Sequence, residues 1–207
     1  MKKIVIASDS FKGSVSSAEV AQSAREGILR VFPECEVICL TVSDGGEGLY
    51  KTLQQQLKGK QIICSVHDSQ METINAGYIL SGDEKTAVIE TAAANGLALI
   101  PKEKRNLMEA TTFGTGELIK NAIQRGCRNI LLGIGGSATN DAGTGMLQAL
   151  GIRFKDENGT ILEYGGKILS RIASIDESGV LPELKDCRFT IICSSNPGST
   201  CRLALEA

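Results

Sequence analysis

The sequence predicts an α/β protein in two units, and three observations carry that expectation. Two short, largely apolar runs near the start, residues 3–7 and 36–42, alternate with helical patterns, the arrangement of a parallel sheet covered on both faces. From about residue 59 the texture changes to closely spaced strand-like runs. Glycine-rich loops recur where strands meet helices, and the chain holds 23 glycines against four prolines, which suits tight joints better than a linker.

Taken in order, residues 3–7 read as a buried strand, followed by the loop Ser8-Asp9-Ser10-Phe11-Lys12-Gly13. Ser16 and Glu19 have the spacing of a capping box and open a helix running to about Val31, where Phe32-Pro33 stops it. Residues 36–42 form the second strand. The loop Ser43-Asp44-Gly45-Gly46-Glu47-Gly48 and a helix over 49–57 follow. In the second unit, strands are expected at 61–66, 73–81 and 85–91, the last two joined by a turn at Gly82-Asp83. A short helix over 92–99, interrupted by Asn95-Gly96, ends at Pro101, and 102–105 is charged and exposed. Residues 111–117 form a glycine and hydroxyl loop, and a helix runs over 117–125. Next come a strand at 129–134, the loop Gly135 to Asp141, and a helix through Met146, Leu147 and Leu150. A hairpin over 152–162 turns at Glu157-Asn158-Gly159. A helical stretch at 167–172 and a last strand at 187–193 complete the pattern.

Composition excludes several classes. The 22 basic and 24 acidic side chains give a net charge of −2, so no basic face for nucleic acid is expected. Aromatic residues make up 4% and tryptophan is absent, which weakens base stacking further. No run approaches a membrane span, and the apolar start ends too soon for a signal peptide, so the expected location is cytoplasmic. The seven cysteines are an odd number without a C-x-x-C pair and read as buried thiols in a reducing compartment. Oligomeric state is left open.

The loops carry the candidate chemistry. In the first, Lys12 would neutralise an anion, with Asp9 and Ser10 beside it, or the segment is a solvated turn. In the second, Asp44 and Glu47 flank Gly45-Gly46, a pairing that suits a metal ion or proton transfer from a hydroxyl. Alternatively Asp44 caps the next helix. Strand, glycine loop and helix around 129–151 present backbone N–H groups to an anion, though such joints also occur as plain connections. No Gly-Lys-Ser/Thr follows, so this is not a Walker A loop. Glu90 lines a pocket or caps the short helix. His67, the only histidine, reads as an isolated exposed imidazole and not as part of a nucleophile system.

Five stretches in order, I-V-I-A-x-D-S-F-K-G, S-D-G-G-E-G, I-E-T-A-A-A-N-G-L, F-G-T-G-E-L-I and L-G-I-G-G-S-A-T-N-D-A-G-T-G-M-L-Q-A-L-G, resemble the bacterial glycerate kinases of the glucarate and glyoxylate pathway class. The resemblance spans Lys2 to about Cys193. It implies an incomplete flavodoxin-like domain over 1–58, an inserted mixed-sheet α/β domain over 59–193, and an atypical tail over 194–207. It implies ATP-dependent phosphorylation of D-glycerate to 2-phosphoglycerate with Mg²⁺. The implied catalytic residues are Asp44, Lys12 and Asp9, with Asp44 also the metal candidate. Substrate or phosphate contacts fall to Ser10, Gly45, Gly46, Glu47, Gly114, Thr115, Gly116, Gly135, Gly136, Ser137, Thr139, Asn140 and Asp141.

The ending departs from that family. Its members carry Cys-Asp-Val-x-Asn-Pro where this chain has Cys193-Ser194-Ser195-Asn196-Pro197, and they continue well beyond. A truncated or frame-shifted product is the expectation. Two rival functions remain open at this point: a non-catalytic remnant binding a small anion, and another small-molecule kinase on the same scaffold.

Overall fold

The computed structural model describes residues 3–8, 11, 14–41 and 57–192. Asp9, Ser10, Lys12, Asp44, Gly45, Gly46 and Glu47 lie outside the described residues, as do nearly all of the expected helix at 49–57 and the tail from residue 193. The chain divides into two compact units, 1–44 and 45–207.

The first unit is one βαβ element. Strand β1 (Lys3–Ser8) pairs in parallel with β2 (Glu36–Thr41), with Lys3 opposite Glu36 and Ser8 opposite Thr41. Helix α1 (Ser17–Val31) crosses between them. Its start is the capping box that the spacing anticipates. The Glu19 N–H donates to Ser16 Oγ at 3.3 Å, and the Ser16 N–H donates to Glu19 Oε2 at 2.8 Å, satisfying two donors that a bare helix end leaves unpaired. At the other end the Phe32 N–H reaches the Ile28 carbonyl at 2.8 Å, and Pro33 prevents a further turn.

The second unit is built on a five-stranded mixed sheet in the order β3-β4-β5-β6-β9. Strand β4 (Thr73–Leu80) is antiparallel to both β3 (Lys60–His67) and β5 (Thr86–Glu90), whereas β6 (Asn129–Gly133) and β9 (Arg188–Ile192) run parallel to β5. Helix α2 (Thr91–Asn95) follows β5 directly, α3 (Phe113–Gln124) leads into β6, and α4 (Thr144–Ala149) follows it. One sheet face packs Tyr78, Leu80, Ala87, Ile89, Ile130 and Leu132 against Leu118, Ile119, Ala122 and Ile123 of α3. The opposite face is a smaller cluster in which Ile79 and Val88 pack with Leu57, Leu131 and Ile192. Each strand thus sends successive side chains to opposite faces. An Ile or Leu fully enclosed in this way contributes about 2 kcal/mol, so the α3 face holds the unit together. The Tyr78 hydroxyl, inside that core, donates to Asn121 Oδ1 at 2.9 Å, as a buried phenol requires.

Several expectations change. Strand β1 is not buried: exposed and half-buried residues alternate along it, and Val5 is 55% exposed. Helix α3 begins at Phe113, four residues before the expected start at Glu117, so Gly114, Thr115 and Gly116 belong to its first turn and not to a loop. The hairpin at 152–162 does turn at 156–160, where Gly159 has φ +78° and the Asp156 N–H donates to the Thr160 carbonyl at 3.0 Å. However, β7 (Arg153–Lys155) forms its ladder with β8 (Ser174–Asp176), fastened by Lys155 Nζ to Asp176 Oδ2 at 2.7 Å. The stretch 167–172 is a 3₁₀ segment, Gly166–Arg171, whose Ile168 packs with Phe154 and Leu162. Among the cysteines, Cys35 and Cys127 are buried and Cys64 and Cys187 half-buried, but Cys39 is exposed. Burial raises the thiols of Cys64, Cys127 and Cys187 above their ordinary range.

Candidate functional site

Parallel strands end together, and the backbone that leaves them must turn at one edge. In the second unit that edge carries Glu90 at the end of β5, paired with Gly133 at the end of β6, which is paired with Ile192 at the end of β9. Strand β3 runs in the same direction as β5, since two antiparallel steps separate them, so the hairpin turn at 68–72 lies on this edge too.

The loop after β6 is held from one side by α2 and the residues following it. The Ile134 N–H donates to the Ile192 carbonyl, extending the strand pairing by one residue. Gly136, at φ +73°, then reverses the chain, and its carbonyl accepts from the Leu97 N–H at 3.0 Å. Gly96 and Ser137 form an isolated bridge, and the Ala138 N–H donates to the Asn95 carbonyl at 2.8 Å. Ser137 Oγ and Thr139 Oγ1 lie 2.6 Å apart, and the Thr139 N–H also donates to Ser137 Oγ. Gly136 and Asn140 are exposed, and Gly135, Ser137 and Thr139 are half-buried. This segment therefore offers hydroxyls and main-chain groups at an accessible surface.

Asp141 is different. It is 1% exposed. Its Oδ2 accepts from the Thr112 N–H at 2.8 Å, Thr112 Oγ1 at 2.9 Å, the Gly145 N–H at 3.1 Å and Thr111 Oγ1 at 3.3 Å. Its Oδ1 accepts from the Gly143 N–H at 3.2 Å. A carboxyl group so surrounded has its acceptor capacity filled from within the fold, and it occupies the N–H groups at the start of α4 that the strand–loop–helix reading offers to a ligand. Gly145 makes this possible, because a Cβ there would lie 1.9 Å from Thr111 Oγ1 and 2.9 Å from Asp141 Oδ2.

The first turn of α3 packs against the same structure. A Cβ on Gly114 would come within 1.7 Å of the His67 carbonyl oxygen, and one on Gly116 within 2.4 Å of the Met146 carbonyl oxygen. These glycines let the helix lie against backbone. Thr115 is buried and directs both its N–H and its hydroxyl to Asn95 Oδ1. His67 is not an isolated exposed imidazole. Its Nδ1 lies 3.0 Å from Glu117 Oε1, its N–H donates to Glu117 Oε2 at 2.7 Å, and its ring meets Phe113 edge-on. Glu90 is 6% exposed and makes no side-chain capping bond to α2.

Among the described residues, no group of three or more His, Cys, Asp or Glu side chains is placed to hold a metal ion. No described helix is long and apolar enough to cross a membrane. Of the residues singled out by sequence, the structure groups Gly135, Gly136, Ser137, Thr139 and Asn140 along one accessible loop. It places Asp141, Gly114, Thr115 and Gly116 in the packed layer behind it. Asn95 and Thr112 hold that layer; by sequence Asn95 reads only as an interruption of the short helix, and Thr112 carries no local signal beyond its polarity.

The sequence matches the model of the glycerate kinase family over residues 4–197. It is 46% identical over 196 residues to a glycerate 2-kinase of Escherichia coli K12, and 45% identical over 196 residues to a glycerate kinase of Bacillus subtilis 168. Each alignment covers 94% of this chain and 51% of the relative. A crystal structure assigned as glycerate kinase 2 from Salmonella typhimurium LT2 superposes with a TM-score of 0.79 at 42% identity, over 92% of this chain and 51% of that one. The chain spans about half the length of the curated relatives it matches.

Proposed function

We infer the function from one premise: the chain belongs to the glycerate kinase family. The reaction proposed is transfer of the γ-phosphoryl group of ATP to the 2-hydroxyl of D-glycerate. The hydroxyl oxygen forms the new P–O bond, the bond to the β-phosphate oxygen breaks, and ADP and 2-phosphoglycerate leave. Such a transfer depends on positioning and charge stabilisation and needs no covalent nucleophile on the protein. Residues 1–58 are assigned to a flavodoxin-like domain and 59–193 to a domain inserted in it.

The observation that carries the site assignment is the accessible carboxyl-edge loop with its hydroxyl pair. Gly135, Gly136, Ser137, Thr139 and Asn140 are proposed to hold phosphate or carboxylate oxygens. Asp141, Gly114, Thr115 and Gly116 are proposed to shape that loop from behind. Asp44 is proposed as the base that takes the hydroxyl proton or as a Mg²⁺ ligand, with Asp9 and Glu47 the next candidates, Lys12 as the cation that balances the anionic charge, and Ser10, Gly45, Gly46 and Glu47 as substrate or phosphate contacts. A Mg²⁺ ion would supply charge neutralisation at the phosphates, with Asp44 the residue proposed to hold it.

The test is glycerate-dependent ADP release in a coupled assay. Turnover with D-glycerate supports the reading. Preference for glycerol or another non-acid would assign a different small-molecule kinase. Binding of D-glycerate without turnover would leave anion binding as the function of this chain.

A further inference from the structure

Among the described residues, the buried side-chain atoms without a hydrogen-bond partner are Ser69 Oγ, Gln70 Nε2, Thr91 Oγ1, Asn95 Nδ2 and Gln148 Oε1. Four of these five stand on the hairpin turn after β3 and on α2, the segments that underlie the carboxyl edge. Unpaired polar groups in a folded interior are few, and their grouping calls for an explanation. Asn95 is the member of this group that reaches two other segments. It is fully enclosed. Its Oδ1 accepts from both Thr115 N–H and Thr115 Oγ1, which fixes the orientation of its amide. Its carbonyl accepts from the Ala138 N–H at 2.8 Å. The next two residues continue the contact, through the Gly96–Ser137 bridge and the Leu97 N–H to the Gly136 carbonyl.

A five-residue helix cannot hold its own shape in water. The position of α2, and of the loop hydrogen-bonded to it, is therefore set by what α2 is fastened to. The Asn95–Thr115 pair is a polar fastening between α2 and the first turn of α3, the helix that forms one wall of the core. We propose that Asn95 is a positioning residue for the anion loop. Its side chain fixes α2 against α3, and its main chain transmits that position to Gly136–Ala138, so that Ser137 and Thr139 are held ready for the oxygens of D-glycerate or of a phosphate. The proposal rests on the glycerate kinase reading for the identity of the ligand, but not for the fastening itself.

The experiment compares the wild-type chain with Asn95→Leu, Asn95→Asp and the milder Thr115→Val. Asn95→Leu removes the acceptor, and Asn95→Asp keeps an oxygen for Thr115. Amide hydrogen exchange is followed at Leu97 and Ala138, with Val88 and Leu131 as core references, and D-glycerate and inorganic phosphate are titrated against the Gly136–Thr139 resonances. Loss of one such fastening corresponds to about a tenfold change. Exchange at Leu97 and Ala138 is expected to accelerate by about that factor in Asn95→Leu and Thr115→Val while the references hold, and ligand affinity is expected to fall in parallel. Asn95→Asp is expected to restore the wild-type exchange. Unchanged exchange at Ala138, or acceleration equal to that at Val88 and Leu131, overturns the proposal, since Asn95 would then serve global stability alone. If Asn95→Leu does not fold, Thr115→Val decides by the same criteria. If the exchange pattern is as expected but the wild-type chain binds neither ligand, the fastening stands and the glycerate reading fails.

Discussion

Thr112 grips Asp141 twice, through its N–H at 2.8 Å and its hydroxyl at 2.9 Å, and the same hydroxyl accepts the Met146 N–H at 2.9 Å. One threonine thus joins the residue before α3, the loop before α4 and the body of α4. Asp141→Ala would leave the Thr112, Gly143 and Gly145 N–H groups without their acceptor. A loss of about 3 kcal/mol is expected from urea unfolding, because stranded buried donors cost more than an average hydrogen bond is worth. Asp141→Asn, which keeps one oxygen, is expected to lose less.

Glycines 27 and 114 make a paired test of why each is there. Ala would gain about 1 kcal/mol of helix propensity at either position. At Gly27, in α1, a Cβ meets nothing within 4 Å, so Gly27→Ala is expected to stabilise by up to about that amount. At Gly114 the His67 carbonyl oxygen stands 1.7 Å from the added carbon. The clash outweighs the propensity, and Gly114→Ala is expected to cost about 2–4 kcal/mol or prevent folding. Thermal unfolding of the two variants checks both signs.

Ser137 and Thr139 carry the ligand prediction. Ser137→Ala and Thr139→Val each remove a half-buried hydroxyl that bonds chiefly to its partner. Affinity for D-glycerate is expected to fall about tenfold per hydroxyl, with the unfolding midpoint nearly unchanged. Wild-type affinity in both variants, measured by calorimetry, would remove these hydroxyls from the site.

The Asp176 carboxyl is held well below the usual carboxylate range by Lys155 and by hydrogen bonds from Ser178. A depressed folded-state value means that its stabilising contribution is present above the unfolded carboxylate range, near pH 4, and is lost as the pH falls through the lower folded value. The stability difference between the wild-type chain and Asp176→Asn is therefore expected to be constant near neutrality and to shrink below about pH 4. Urea midpoints across that range test it.

What the sequence made legible was local. Ser16 and Glu19 announce α1 because a capping box spans four residues, and the apolar runs of β1, β5 and β6 need no partner to be read. The start of α3 was not legible: Thr111, Thr112, Gly114 and Gly116 have poor helix propensity, and they are helical or adjoin the helix because the His67 and Met146 carbonyls pack where side chains would stand. Asp141 beside a glycine loop looks like a ligand residue until Thr112, 29 positions away, is seen to bind it. The ladder between β7 and β8 is non-local in the same way, since the intervening residues give no sign of which segment will return. Asn95 reads as a helix breaker, and its role depends on Thr115, 20 residues on.

The Asp141 carboxyl already takes up the Gly143 and Gly145 N–H groups at the start of α4, so an oxyanion bound at Gly135–Thr139, as proposed, would meet short-range dipoles and not an open helix end. Recognition by dipoles of that kind is weakly sensitive to ionic strength. A steep salt dependence of glycerate or phosphate binding would then report charge supplied from outside the loop. A flat one would mean that the loop alone accounts for the binding.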